Sequence, residues 1–298
     1  MKRLLFIVNP CAGMKRVVRF LPGIIDLFRH YGYENTVYMT DGRGDGTALA
    51  INRGADFDLI VCAGGDGTFN EVMTGVLSAG LTVPLGYIPC GSTNDFASSL
   101  HLPKTIPEAA RFIMDGTPCP VDVGSFGSRY FSYVASFGAF TRTSYTTPQN
   151  IKNSLGHLAY LLSGIKDIPT IRPVHVRFEV ENLVLEDDYI FGAISNTTSV
   201  GGVLTLDSRL VDLNDGLFEL ILIKSPKDII ELNECIRALT AQDYASRMIT
   251  FLSASKIHIT CPTPLDWTLD GECASHVTEV DVENLHSAIS LCRVEAHE

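Results

Sequence analysis

Gly64-Gly65-Asp66-Gly67-Thr68 gathers three glycines, an acid and a hydroxyl within five residues. Glycines let backbone N–H groups come close to phosphate oxygens and form an anion-binding nest. A helix starting there adds its positive end. Asp66 is out of place if anion binding is the whole purpose. It suits a magnesium ion, or a hydroxyl or ribose that must be oriented. The plain alternative is a tight strand-to-helix turn capped by Asp66 or Thr68. Two further loops share the setting, each directly after an apolar run: Asn9-Pro10-Cys11-Ala12-Gly13 and Gly91-Ser92-Thr93-Asn94-Asp95. Lys15, Arg16 and Arg19 follow the first loop. Cations near a helix N-terminus oppose its dipole, which is explained if they face phosphates. No GxxxxGK[ST] occurs and no GxGxxG follows the first apolar run, so a P-loop and a dinucleotide fingerprint are both excluded.

The second set of candidates is acidic. Asp212-Leu213-Asn214-Asp215-Gly216-Leu217 has a glycine where a calcium loop would want one, but Val211 and Leu213 stand at ligand positions and no glutamate closes it. A smaller cation site using one carboxylate and backbone carbonyls stays open, beside an ordinary turn. Trp267-Thr268-Leu269-Asp270-Gly271-Glu272 puts two acids across a glycine. In an extended segment these would face the same side, to share a cation or to divide the roles of base and orienter. The eight histidines are dispersed with no HExxH, there is no GxSxG, and none of the eight cysteines has CxxC spacing. Zinc and Ser-His or Cys-His nucleophile chemistry are therefore not expected.

These loops need a frame to bring them together. Residues 4–8, 59–63 and 85–89 are apolar runs that predict strands, with a further strand over 36–40 and helices over 17–31, 47–53 and 69–78 and after Gly91. Such strands alternating with helices predict a parallel sheet covered on both faces, whose loops converge on the carboxyl edge, where ligands bind. Beyond 123 the texture changes. Residues 130–140, 174–180, 189–195, 217–224, 256–261, 277–282 and 289–294 read as strands, and 174–180 alternates as an antiparallel strand with one wet face does. One helix is predicted there, over 225–239, capped by Ser225 with Pro226 in its first turn. The expected organisation is an α/β domain over 1–123, joined by 289–298, and an antiparallel β domain over 124–288.

The chain has 298 residues, 46% hydrophobic and 19% charged, with 23 basic and 34 acidic groups and a net charge of −11. That argues against nucleic acid as a partner. Residues 1–123 carry 10 basic and 12 acidic groups, and 124–298 carry 13 and 22, so most of the acidity lies in the second part. The apolar run after Met1-Lys2-Arg3 is too short for a signal peptide, and no segment has eighteen unbroken apolar residues. A cytoplasmic protein is expected. Residues 158–162 are a candidate apolar wall or membrane-touching helix, against the plainer reading of a core helix.

NPCAG at 9–13, GGDGTFNEV at 64–72, GSTNDFA at 91–97, NDGLFEL at 214–220 and LDGE at 269–272 together resemble the bacterial diacylglycerol kinase and lipid kinase family, relatives of sphingosine and ceramide kinases. The resemblance runs over nearly the whole chain. It implies an N-terminal α/β domain like that of NAD kinases and diacylglycerol kinases, with a parallel sheet, a C-terminal antiparallel β-sandwich and an active site in the cleft. It implies ATP and Mg2+, a lipid alcohol as acceptor, peripheral membrane contact, and room for a homodimer. By resemblance Asn9, Pro10, Cys11, Ala12, Gly13, Thr40, Gly65, Asp66, Gly67, Thr68, Phe69, Asn70 and Thr93 would surround ATP. Asp215 would bind magnesium through its side chain, with the carbonyls of Asp212 and Leu217. Glu272 would take the proton from the lipid hydroxyl, and Asp270 and Asp66 would complete a carboxylate network; Glu272 and Asp270 are not separable at this stage. A soluble-substrate kinase related to NAD kinase, and a nucleotide- or lipid-binding regulator without catalysis, are the competing readings.

Overall fold

The computed structural model describes residues 1–92, 94–138, 172–197, 199–200, 204–205 and 211–294, with backbone alone at 14–15, 199–200 and 204–205. Thr93 and the candidate membrane-touching segment 158–162 lie outside the described residues. The chain divides into two compact units, Met1–Asp122 with Ser287–Glu298, and Val123–His286.

In the first unit, β1 (Lys2–Val8), β2 (Tyr33–Met39), β3 (Leu59–Gly64) and β4 (Leu85–Pro89) pair in parallel in the order β2-β1-β3-β4. Leu4, Leu5, Phe6, Ile7 and Val8 are all fully buried, as in a strand covered on both faces. The covering helices are α1 (Arg16–His30), α2 (Asp45–Arg53), α3 (Asp66–Ser78), the short α4 (Asp95–Ser99) and α5 (Ile106–Asp115). One side of the core joins Phe6, Val61 and Ile88 to Val17, Ile24 and Phe28 of α1 and to Ala109 and Ile113 of α5. Every strand-to-helix loop in this arrangement opens at the carboxyl ends of the strands.

The second unit is antiparallel. Its strands are β5 (Thr117–Phe126), which enters from the first unit, β6 (Arg129–Phe131), β7 (Val134–Gly138), β8 (Val174–Val180), β9 (Leu183–Ser195), the short β10 (Ser199–Val200) and β11 (Leu204–Thr205), β12 (Phe218–Lys224), β13 (Ile249–Ala254), β14 (Lys256–Leu269) and β15 (Glu272–Arg293). The long strands β9 and β14 each pair at one end with β7 and at the other with β8. Phe131, Phe137, Phe178, Tyr189, Phe218 and Trp267 fill the core, with Trp267 ring-to-ring against Phe126 and Phe137.

Three sequence expectations need correction. The helix placed at 225–239 is α6, Ile229–Ala241. Its cap is Asp228, whose carboxylate accepts the N–H groups of Ile230 and Glu231 at 2.9 and 2.8 Å. Ser225 instead donates its N–H to the Asp188 carbonyl, so Pro226 precedes the helix. The strands placed at 277–282 and 289–294 are one strand of 22 residues, β15, and its Leu291 pairs in parallel with Leu85 of β4. The strand placed at 130–140 is interrupted at 132–133, where the backbone turns aside to meet an acid described below.

Candidate functional site

The first unit brings its three loops into backbone contact. Gly13 has φ +54°, and a Cβ there would overlap the Cys90 carbonyl. A Cβ on Gly91 would stand 2.7 Å from the Gly65 Cα. These two positions need glycine, because no side chain fits between the strands of the loop cluster. Polar side chains tie the same loops together. Asn9 donates through Nδ2 to Thr68 Oγ1 at 3.1 Å and accepts the Cys11 N–H through Oδ1 at 3.0 Å. Asn94, at φ 52°, accepts the Gly91 N–H at 2.8 Å and returns a bond from Nδ2 to the Gly91 carbonyl at 3.0 Å. Thr40 is buried, its N–H on the Val8 carbonyl at 2.8 Å.

Asp66 is buried and faces inward. Its Oδ1 accepts the Tyr87 hydroxyl at 3.2 Å, and its Oδ2 accepts the Asp95 N–H at 2.8 Å at the start of α4. Burial first, then the Asp66 charge, pushes the Tyr87 phenol well above its usual range. The acid that looked out of place in an anion nest is therefore bonded to the start of the neighbouring helix. The α3 N-terminus has Gly65 at its cap position, with no side-chain cap, and the Thr68 and Phe69 N–H groups both bond the Gly65 carbonyl, at 3.0 and 3.2 Å. Gly67 is exposed there, with open space around its Cβ direction. Phe69 belongs to the core: its ring is fully buried 4.9 Å from both Tyr87 and Phe96, so it anchors α3. Asn70 accepts the Thr74 hydroxyl at 3.4 Å. Arg16 donates through Nε to the Gly13 carbonyl at 3.2 Å, and the Lys15 side chain lies outside what is described.

In the second unit, Asp270 and Gly271 both adopt positive φ, 49° and 88°, and join β14 to β15 as a two-residue hairpin. The segment is not extended, so the two acids do not face the same side. Asp270 turns inward and is buried. Its carboxylate accepts the Ser132 N–H and hydroxyl at 2.5 and 2.8 Å and the N–H groups of Tyr133 and Val134 at 3.0 and 3.1 Å. Burial raises its pKa, against the pull of these four donors. Those bonds account for the break between β6 and β7. Glu272 stays partly exposed, 3.5 Å from the Arg129 guanidinium, which also donates to the Cys273 carbonyl at 2.8 Å. Nothing in the sequence singled out Arg129, since it lies outside every motif.

The Asp212–Leu217 turn is closed by its own side chains. Asp212 accepts the Asn214 N–H at 3.0 Å and Asp215 accepts the Leu217 N–H at 2.9 Å, and both acids are exposed. The Leu217 carbonyl accepts Asn284 Nδ2 at 2.9 Å. Glu219 follows on β12 and is 1% exposed. Its Oε2 has no hydrogen-bond partner among the described residues. Burial, then the charges of Asp215 and Asp212, push its carboxyl up to about 8. Its signal in the sequence is an acid inside the apolar strand Phe218–Lys224. Among the described residues no three His, Cys, Asp or Glu side chains converge to hold an ion by themselves.

The Diacylglycerol kinase catalytic domain model matches residues 3–126, and the YegS C-terminal NAD kinase beta sandwich-like domain model matches 134–292. A diacylglycerol kinase of Bacillus subtilis (strain 168) is 34% identical over 276 residues, 91% of this chain and 90% of that protein. One from Staphylococcus haemolyticus (strain JCSC1435) is 32% identical over 292 residues, 96% and 86% of the two chains. The crystal structure of a diacylglycerol kinase from Bacillus anthracis str. Sterne has the same fold, with TM-score 0.76 and 24% identity over 98% of this chain and 97% of that one.

Proposed function

Because the chain belongs to the diacylglycerol kinase family, we propose that it transfers the γ-phosphoryl group of ATP to the hydroxyl of diacylglycerol, giving phosphatidic acid. That it is a lipid kinase follows from the family; the acceptor and the residue roles are our reading. The observation that carries these roles is the different placement of the acids in the two motifs. Asp66 is buried on Tyr87 and the start of α4, and Glu272 is left partly exposed beside its buried neighbour Asp270.

Phosphoryl transfer asks mainly for alignment and charge neutralisation. The backbone at 65–68 would receive phosphate oxygens, with Asn9, Pro10, Cys11, Ala12 and Gly13 along one side and Thr40 and Asn70 completing the surround. Asp66 works through the helices it fixes. Glu272 is assigned as the proton acceptor for the lipid hydroxyl, and Asp270 as the residue that positions it. The residues on the Asp212–Leu217 turn fit a divalent cation, since Asp212 and Asp215 are exposed carboxylates and the buried Glu219 beside them has an Oε2 with no partner among the described residues. Asp215 would hold magnesium with the carbonyls of Asp212 and Leu217, the latter keeping a second lone pair beside its bond from Asn284. Bound there, the ion would offset charge gathering on the phosphate oxygens. The lipid hydroxyl would be met by peripheral contact with the membrane surface; no helix among the described residues is long and apolar enough to cross a membrane.

The test is transfer from labelled ATP and Mg2+ to diacylglycerol, monoacylglycerol, sphingosine, ceramide and undecaprenol in mixed micelles, with NAD as a soluble acceptor. Labelled phosphatidic acid is expected, abolished by EDTA, and reduced about 10²–10⁴-fold in Glu272→Gln, as when a general base is removed. Transfer to NAD alone would overturn the lipid assignment, and transfer to another lipid would rename the acceptor.

A further inference from the structure

We infer that Glu71 is a positioning residue for the nucleoside end of the nucleotide: its carboxylate fixes the loop after β2 against α3. This rests on the kinase reading above. Glu71 follows the glycine loop by one helical turn, and no role is assigned to it by the motif resemblance. Its Oε1 accepts the Gly44 N–H at 2.8 Å, its Oε2 accepts the Gly46 N–H at 3.1 Å, and its main-chain carbonyl accepts the Thr47 hydroxyl at 2.8 Å. The packing around these bonds is close. A Cβ on Gly46 would stand 3.0 Å from both the Cβ and Oε2 of Glu71, and one on Gly75 would stand 2.6 Å from the Ala50 Cβ and the Thr47 carbonyl. The start of α2 is thus held by the helix that carries the phosphate-facing turn.

The chemistry of this loop separates it from the α3 start. Asp45 accepts the N–H groups of Asp41 and Gly42 at 2.7 and 2.9 Å. Four backbone donors of the loop, at Asp41, Gly42, Gly44 and Gly46, therefore end on two carboxylates. The positive end of α2 is already neutralised, and a phosphate there would meet two like charges and no donor from these four groups. The α3 start differs: it has no side-chain cap, the two carboxylate oxygens of Asp66 are bonded to Tyr87 and to the Asp95 N–H, and Gly67 is exposed. Phosphates belong at α3, and the uncharged part of the nucleotide is what the 40–46 loop can take. Thr40, fixed on the Val8 carbonyl, opens that loop.

The experiment compares the full chain with Glu71→Ala and Glu71→Gln. Transfer is followed with ATP varied at saturating lipid, and binding of the non-hydrolysable analogue AMP-PNP is followed by calorimetry. Loss of two charge-assisted backbone bonds should raise the KM for ATP and the Kd for AMP-PNP about tenfold in Glu71→Ala. The KM for lipid and kcat should stay within about twofold. Glu71→Gln keeps one carbonyl acceptor and should fall between, and it carries the test if Glu71→Ala does not fold. A merely structural role would lower kcat or thermal stability with the KM for ATP unchanged, and that result overturns the proposal. A parent protein that binds AMP-PNP but phosphorylates nothing overturns the kinase reading instead, while the ratio of binding constants still decides the role of Glu71. A parent that binds no AMP-PNP overturns both.

Discussion

Asp270 and Glu272 stand two positions apart and differ in everything that sets a carboxylate's role. Asp270 is buried with four donors on it, three of them backbone N–H groups. Asp270→Asn would aim an amide donor at some of those donors and leave buried groups unpaired, at a cost of about 2–4 kcal/mol. Glu272 is partly exposed and makes a surface ion pair with Arg129, of a kind typically worth under about 1 kcal/mol. Chemical denaturation should therefore show a marked loss in Asp270→Asn and almost none in Glu272→Gln, although both lose activity. Equal destabilisation would mean that Glu272 too is a structural acid. The sequence held the clue that separates them. The rule that residues i and i+2 face the same side assumes an extended chain. Asp-Gly between apolar runs is instead a signal for a two-residue hairpin with positive φ, and it turns the first acid inward. Arg129 and Glu219 are different cases. Arg129 has no motif around it, and an acid inside an apolar strand reads as one polar exception until its burial is known.

At the scale of elements, the first unit was legible because strands buried on both faces lack polar residues, and 85–89 was placed with the bounds that β4 has. The second unit was less so. A strand such as β15 alternates faces, bends at His276 and Ser287, which have positive φ, and passes polar residues that look like breaks in a pattern. The start of α6 was misplaced because Ser225-Pro226 and Asp228 are all acceptable helix beginnings, and only the capping bonds choose between them. Convergence of the three loops was expected from the sheet, but their contact through glycine backbone was not. Gly13→Ala should cost about 2–4 kcal/mol, from positive φ together with overlap on the Cys90 carbonyl, measurable as a fall in the denaturation midpoint. On the β8–β9 ladder, His175 lies 2.9 Å from Asp188 and 3.3 Å from Glu186, and those hydrogen bonds, Asp188 first, raise its pKa above 6.5. A raised folded pKa means that the linked stability is fully present below pH 6.5 and is lost as pH climbs through the folded value. Asp188→Asn should flatten stability against pH across that window and bring the imidazole titration, followed by NMR, back toward 6.5. An unchanged titration would show that the pair is not formed in solution.

Across the whole molecule the proposed roles divide between the two parts of the sequence. Residues 1–123 carry 10 basic and 12 acidic groups, whereas 124–298 carry 13 and 22. On the proposed roles the nearly neutral part would supply backbone donors and glycine approaches for an anion, and the acidic part would supply Asp215, Asp270 and Glu272. Such a division suits the chemistry, since surplus negative charge around the phosphate-receiving turn would oppose the anion it must bind. It also makes binding and turnover separable. Gly67 at the start of α3 is exposed, has no positive φ, and has open space where a Cβ would go. Gly67→Val should therefore fold with little loss of stability while covering the N–H groups that phosphate oxygens would approach. Calorimetry with AMP-PNP should show its affinity reduced at least about tenfold, as expected when close backbone approach to a phosphate is blocked. Glu272→Gln, in the other unit, should bind AMP-PNP within about twofold of the parent and transfer almost nothing. If Gly67→Val bound the analogue normally, the phosphates would have to lie elsewhere than at the start of α3. If Glu272→Gln lost binding, its carboxylate would be acting on the nucleotide rather than on the acceptor hydroxyl.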